Sequence, residues 1–357
     1  MTDARHTAPD YADVVLLLRR WAKELGFQQL GICDTDLSVA EGHLLRWLAL
    51  QRHGQMHYMA RHGSKRSRPE ELEPGTLRVI SVRMDYLPSG ARASEDVLDD
   101  PASAFISRYA LGRDYHKLLR SRLQKLATRL ERHIGPFGYR AFVDSAPVLE
   151  KPLAAKAGLG WIGKHTNLLN REAGSWFFLG ELYTDLPLPV DSPVEEHCGA
   201  CTRCIDVCPT RAIVAPYELD ARLCISYLTI ELHGPIPEAL RPALGNRVYG
   251  CDDCQMVCPW NRFAQFSGEG DFLPRNDLDT ATLAELFAWE EEEFLTRTEG
   301  SAIRRIGYER WLRNLAVGLG NCLSATDSAR AALLTRVEHP SELVREHVCW
   351  ALRRLDL

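Results

Sequence analysis

Eight cysteines between Cys198 and Cys258 carry the clearest chemistry in the chain. The first motif is Cys198-x-x-Cys201-x-x-Cys204-x-x-x-Cys208-Pro209, the run that bacterial two-cluster ferredoxins use to hold [4Fe–4S] cubanes. Three thiolates two residues apart wrap one cluster, and the fourth, followed by proline, turns away to ligate the other. The second motif, Cys251-x-x-Cys254-x-x-x-Cys258-Pro259, lacks one cysteine of the full run, and Cys224 is free to supply it. The count then closes. Cys198, Cys201, Cys204 and Cys258 would hold one cluster, and Cys208, Cys224, Cys251 and Cys254 the other. Two zinc sites of four thiolates each are the alternative for eight thiols, but a C-x2-C-x2-C-x3-C-P run is uncommon in zinc sites. Cys33, Cys322 and Cys349 stand apart and are expected as small buried apolar residues.

Clusters deliver single electrons but choose no substrate, so the substrate chemistry is sought in the long segment before Cys198. Asp144 ends a predicted strand in Phe142-Val143-Asp144-Ser145-Ala146-Pro147-Val148. Sites of α/β proteins gather at strand ends, and a carboxyl in apolar surroundings has a raised pKa and donates protons near neutrality. The plainer reading is a cap on the following helix. Gly158-Leu159-Gly160-Trp161-Ile162-Gly163-Lys164 has dinucleotide-motif spacing but lacks the preceding strand; it is expected as a turn that lets backbone approach a large ligand. Arg108-Tyr109 and Gly112-Arg113-Asp114-Tyr115-His116 form a polar, aromatic cluster. The D-x-H-x-x-G signature of histidine-ligated cobalamin is not met there, because Leu119 stands at the glycine position. Basic residues recur at Arg61, His62, Lys65, Arg66 and Arg68, and at Arg304, Arg305, Arg310 and Arg313. They read as solvated faces or as phosphate grips.

The elements that must position these residues follow from periodicity. Tyr11 to Leu25 reads as an amphipathic helix, and an apolar run from Phe27 to Ile32 follows. Residues 41–62 read as helix, Leu77 to Leu87 as a buried strand and 88–103 as a loop. Asp114 to Ile134 is the clearest helix, with Leu119, Leu123, Leu126 and Leu130 on one face and Lys117, Arg122, Lys125 and Arg129 on the other. Tyr139 to Val143 and Trp176 to Leu182 read as strands. Helices alternating with strands argue for an α/β domain over 1–187. A proline-bearing linker leads into a ferredoxin-like domain over 188–270. From 275 to 357 the pattern is all α, and the segments around Pro340 read as a HEAT-like helical pair.

At 357 residues the chain has room for two or three domains. A net charge of −5 does not announce a nucleic-acid binder in bulk, which leaves local patches to do so. The polar start lacks the basic, apolar pattern of a secretory leader, and no stretch approaches the ~20 apolar residues of a membrane span. A cytoplasmic monomer with no membrane contact is expected.

Taken together, these segments resemble the epoxyqueuosine reductase family along nearly the whole chain. The resemblance rests on Ser107-Arg108-Tyr109, Gly112 to His116, Val143 to Lys151, Gly158 to Lys164, both cysteine motifs, and Gly250 to Gln255 with Cys258-Pro259-Trp260-Asn261. It implies two [4Fe–4S] clusters and a cobalamin in the N-terminal domain. It also implies an oxidoreductase of queuosine synthesis, which reduces the epoxide of epoxyqueuosine at the wobble position of tRNAs for Asp, Asn, His and Tyr. Electrons would come from an external flavodoxin- or ferredoxin-type donor. The family's proton donor falls on Asp144, and its cobalamin contacts fall at His57, Ser107, Asp144, Leu168, Asn170, Ser226 and Asp252. The missing histidine signature fits a cobalamin that takes no histidine from the protein. Reductive dehalogenases share the plan of cobalamin with two clusters, and a cytosolic reductase of that kind acting on another substrate is the alternative.

Overall fold

The computed structural model describes residues 9–356. The N-terminal half is built on one four-stranded sheet. Helix α1 (Tyr11–Glu24) leads into β1 (Gln29–Cys33), then α2 (Ser38–Ala49) and β2 (Arg78–Asp85). After α3 (Ser94–Asp99) come α4 (Tyr115–Ile134), β3 (Tyr139–Phe142), α5 (Glu150–Lys156) and β4 (Phe177–Thr184). The sheet order is β1-β2-β4-β3 and every pairing is antiparallel, with Ile32 opposite Ile80 and Glu181 opposite both Ser81 and Phe142. The alternation of helix and strand along the sequence therefore does not make a parallel sheet.

Side chains alternate across the sheet as its pleat requires. Ile80, Val82, Phe178 and Leu182 pack under Leu18 of α1 and the leucine stripe of α4, in one apolar layer. Val79, Leu179 and Tyr183 point the other way, to Leu153 and Ala154 of α5. Helix α4 starts where the Asp114 side chain accepts the His116 N–H, which satisfies one of the free amides at a helix start.

Three sequence readings are corrected here. Residues 41–62 are not one helix: α2 ends at Ala49, Gln51 takes a positive φ of 54°, and a short helix resumes at Tyr58–Arg61. The segment 88–103 is not all loop. Asn246 Nδ2 donates to the carbonyls of Val97 and Asp100, and Arg108 donates to Ser94 Oγ, so tertiary bonds hold α3 where composition favours a turn. Cys349 is exposed, whereas Cys33 and Cys322 are buried.

The cysteine region leads through α6 (Ile225–Ile230) to α7 (Gly307–Gly320), α8 (Thr326–Leu334) and α9 (Glu342–Leu355). One apolar core joins Ile225, Leu228, Val248 and Tyr249 to Trp311, Leu315, Val348 and Ala351, so the segment after Cys208 packs as part of the helical half. Arg313 and Asn314 of α7 are fully buried in it. Arg313 donates to the carbonyls of Leu228, Leu232 and Gly234, and Asn314 to those of Thr229 and Val248. Arg313 thus grips the protein's own backbone and is withdrawn from any phosphate-binding face. Among the described residues no helix is long and apolar enough to cross a membrane.

Candidate functional site

The first cysteine set surrounds a cavity of about 220 Å³ lined by Cys198, Cys201, Cys204 and Cys258. Lys164 Nζ ties down this loop by donating to the carbonyls of Gly199, at 2.6 Å, and Cys201, at 3.0 Å. In the second set, Cys254 lies within electrostatic reach of Cys224 and Cys208, and also of Cys204 in the first set. Cys251 follows the same turn, its Sγ 2.6 Å from Asp253 Oδ2. The two sets differ in access. Cys201 is exposed at the surface, whereas Cys224 lines a second, larger cavity.

That second cavity, of about 550 Å³, lies between the sheet, the Tyr58 helix, α6 and the turn that precedes α7. Crevices of about 760 and 1040 Å³ exist elsewhere, but neither gathers an acid–base cluster beside a member of the second cysteine set. In the 550 Å³ cavity Asp144 projects from the end of β3, its side chain 51% exposed to the space it lines. Tyr115 Oη donates to Asp144 Oδ2 at 2.7 Å, and His116 Nε2 lies 3.5 Å from the same oxygen. The other ring nitrogen of His116 is 2.6 Å from Asp114 Oδ1. Tyr115 is held flat between the His116 ring and Phe178, with centroids 4.3 and 3.8 Å away.

The charge states follow from these partners. Desolvation alone pushes the Asp144 carboxyl up, but the hydrogen bonds from His116 and Tyr115 outweigh it and the net shift is downward. Burial alone would lower His116; its bonds to Asp114 and Asp144 win and push it up to about 9. The sequence reading of Asp144 as a carboxyl kept protonated by apolar surroundings is therefore corrected. At neutral pH the carboxylate is ionised and the adjacent imidazolium carries the proton.

Of the residues named from the resemblance, Asp144, Leu168 and Ser226 line the cavity. His57 sits beside it, between the lining residues Met56 and Tyr58, with its ring against His53. Ser107 and Asp252 are buried against each other, Ser107 Oγ donating to Asp252 Oδ1 at 2.6 Å. Asn170 donates to Gln29 Oε1 and to the Leu159 carbonyl, and lines the 760 Å³ crevice instead. Sequence reasoning missed the aromatic wall of Phe177 and Phe178, and it named Tyr109, Arg305 and Lys151 without placing them in one cavity. The polar cluster Gly112 to His116 was the available signal for Tyr115 and His116. The glycine run, expected to approach a ligand, serves the protein's own backbone. A Cβ at Gly160 would meet the Leu169 carbonyl at 1.9 Å, and Gly158, at φ +75°, packs on the Ser192 carbonyl.

Paired cysteine sets with an acid–base cluster in a cavity beside the inner set define an iron–sulfur oxidoreductase acting on an enclosed substrate. Comparison with known proteins narrows this class. Residues 197–261 match a 4Fe-4S double cluster binding domain, and residues 66–145 match "Epoxyqueuosine reductase QueG, DUF1730". The chain is 66% identical over 347 residues to the epoxyqueuosine reductase of Pseudomonas aeruginosa, covering 97% of this chain and 96% of that one. It is 61% identical to the Escherichia coli enzyme, covering 94% and 88% of the two chains. Among solved structures, an epoxyqueuosine reductase with an epoxyqueuosine-modified tRNA-Tyr stem loop superposes with a TM-score of 0.86. It is 27% identical and covers 97% of this chain and 91% of its own. The Streptococcus thermophilus enzyme gives 0.85 at 27% identity, over 96% of this chain and 90% of its own. The chain belongs to the epoxyqueuosine reductase family.

Proposed function

We propose that this chain reduces the epoxide of epoxyqueuosine at the wobble position of tRNA, in the Asp144 cavity, with two [4Fe–4S] clusters and a cobalamin as its redox groups. The observation that carries this is the Asp144–His116–Tyr115 cluster facing the same cavity as Cys224. The cavity suits a flat macrocycle. Tyr58, Tyr109, Phe177, Phe178, Leu168 and Leu179 give it broad apolar walls, and Ser226, Asn167, Lys151 and Gln255 supply polar contacts. His116 is the histidine among its lining residues, and both its ring nitrogens are engaged by Asp114 and Asp144. With a cobalamin in the cavity, His116 would stay committed to these two carboxylates. A bound cobalamin would supply low-potential reducing chemistry at the oxirane, and the clusters would supply single electrons.

The chain's own residues handle the protons. Reducing an epoxide to an alkene consumes two electrons and two protons and releases water. Asp144 and His116 act as one unit: the proton held on the imidazolium below pH about 9 passes through the carboxylate to the leaving oxygen. Tyr115 fixes the carboxylate from the side.

Exposed basic residues flank the cavity mouth. Arg61, His62 and Lys65 follow the lining residue Tyr58, and Arg304 and Arg305 lie in the short segment that begins with the lining residue Ala302. Arg61, His62, Lys65 and Arg304, with Lys117 exposed on α4, grip tRNA phosphates while the modified base enters the cavity, and Arg305 is held by Glu231. The solved relative with its tRNA stem loop supports this reading. Arg122 and Arg129 of α4 contribute less, since they pair with Glu269 and Glu24. The α8–α9 pair, taken as a HEAT-type unit, extends the helical half. The enzyme works in the cytoplasm as a monomer, fed by a flavodoxin- or ferredoxin-type donor at the exposed Cys201 side.

The test is anaerobic reconstitution with iron, sulfide and cobalamin, then incubation with reductant and epoxyqueuosine-containing tRNA. Nucleoside mass spectrometry should show loss of one oxygen only when cobalamin is present. No conversion by fully loaded protein would overturn the reading. Binding of tRNA should weaken steeply between low and high salt, and salt-insensitive binding would remove the phosphate grip.

A further inference from the structure

Beneath the Asp144 loop lies a second pair of carboxyls that the chemistry above does not use. Glu150 opens α5, and its Oε1 accepts the backbone N–H of Asp144 at 2.6 Å. Glu181 sits in the middle of β4, fully buried, and neither of its carboxyl oxygens receives a hydrogen bond from a donor group. Ser81, its partner across the ladder, also has an unsatisfied buried hydroxyl. The alternation of β4 places Glu181 on the α5 side, in the layer of Leu179, Tyr183 and Leu153. An ionised carboxylate without a donor does not persist in such a layer; it takes up a proton, and Glu150 at the start of α5, the helix packed on β4 here, is the carboxyl that raises it further.

The Asp144 backbone needs an anchor. Its φ is +29°, on the side of the map that non-glycine residues avoid, so surrounding contacts must hold it there. We propose that Glu150 and Glu181 share one proton and together anchor the Asp144 loop in its proton-delivering position. Both are positioning residues, because they act through Asp144. The inference rests on Asp144 being the acid of the site.

The titratable groups that face this pair are Asp144 and His116 from the cavity side, Lys151 on α5, and Tyr183 and Cys33 within the layer. Burial, and then the neighbouring acidic charge, raise both glutamates above the ordinary carboxyl range. As pH rises through that raised range the shared proton leaves. Two carboxylates then repel each other in an apolar layer, and the grip on the Asp144 amide fails.

The experiment compares holoenzyme variants by single-turnover rate against pH, with tRNA affinity and thermal unfolding measured in parallel. Glu150→Ala should lose roughly 10²-fold in rate, the scale of a small misplacement of a reacting group, with tRNA affinity unchanged. Glu150→Gln should recover most of that loss, because its amide oxygen still accepts the Asp144 N–H. Glu181→Gln donates to Glu150 at every pH, so the alkaline decline should move upward, to the limit set by His116. Wild-type turnover in Glu150→Ala, or an unmoved alkaline limb in a folded Glu181→Gln, would overturn the anchor. Should Glu181→Gln fail to fold, failure of Glu150→Gln to recover activity overturns it as well. Asp144→Asn separates the two readings. If it is inactive while Glu150→Ala is normal, only the anchor falls; if it is active, the assignment of Asp144 falls first.

Discussion

Two groups of carboxyls meet at the Asp144 loop, and they are treated oppositely. On the cavity side, Asp144 faces the Tyr115 hydroxyl and the His116 ring, and Asp114 accepts the His116 ring and backbone. Those carboxylates are held ionised, and the proton stays on the imidazole. On the sheet side, Glu181 meets no donor and is raised well above the usual carboxyl range, first by burial and then by Glu150. Exposure differs, since Asp144 and Asp114 keep part of their side chains open to the cavity while Glu181 is fully buried, and the donors differ with it. Burial raises Glu181, and the donors aimed at Asp144 and Asp114 lower them. One loop thus places an ionised acid with a loaded proton source in front of the substrate and a protonated pair behind it.

The largest way to break this contrast is His116→Ala. It removes the proton source and the leading stabiliser of the Asp144 carboxylate. Turnover should fall ~10²-fold or more throughout the range below pH about 9 in which the wild-type imidazole holds its proton, while the alkaline limb set by the glutamate pair stays. Near-wild-type turnover at neutral pH would refute the pairing. Tyr115→Phe removes one charge-assisted hydrogen bond and should cost ~10- to 100-fold, on the scale of the ~1.5–3 kcal/mol of such a bond. Steady-state rates with intact cofactor loading would check it.

Glu181→Gln sharpens the other side through stability. The folded protein keeps a proton on Glu181 that the unfolded chain releases above its ordinary value of 4.5. Wild-type stability therefore declines as pH rises from that value toward the folded one, by up to about 1.4 kcal/mol per pH unit for one proton. The variant should lack this slope. Denaturation midpoints at pH 5 and pH 8 would show it, and parallel slopes in the two proteins would contradict it. His347 behaves in the opposite sense and gives the smallest effect. Burial lowers it to about 3 while its Nε2 accepts the Ile236 N–H, so stability should be lost as pH falls below 6.5. Replacement of His347 by Gln should flatten that acid limb.

Much of this was legible in the sequence, for physical reasons that differ by residue. Cluster ligands must lie at fixed spacings along a short wrap of chain, so the gathering of Cys198, Cys201, Cys204 and Cys258 around one cavity was legible from spacing. Asp144 was legible as an acid at a strand end, but its charge state was not. That depends on His116 and Tyr115, which reach it from the first turn of another helix. Arg313 looked like part of a basic face, and only the fold shows that its guanidinium satisfies three carbonyls inside the core. Glu181 left one faint signal, a single acid inside the apolar strand Phe177–Thr184. The antiparallel sheet was hidden because the order of helices and strands does not state the direction in which strands pair.

The most direct test of the account is a single anaerobic turnover by Asp144→Asn carrying both clusters and cobalamin, on tRNA containing epoxyqueuosine. The account predicts normal tRNA binding and loss of the epoxide oxygen slowed by ~10²–10⁴-fold. A rate equal to wild type would contradict it.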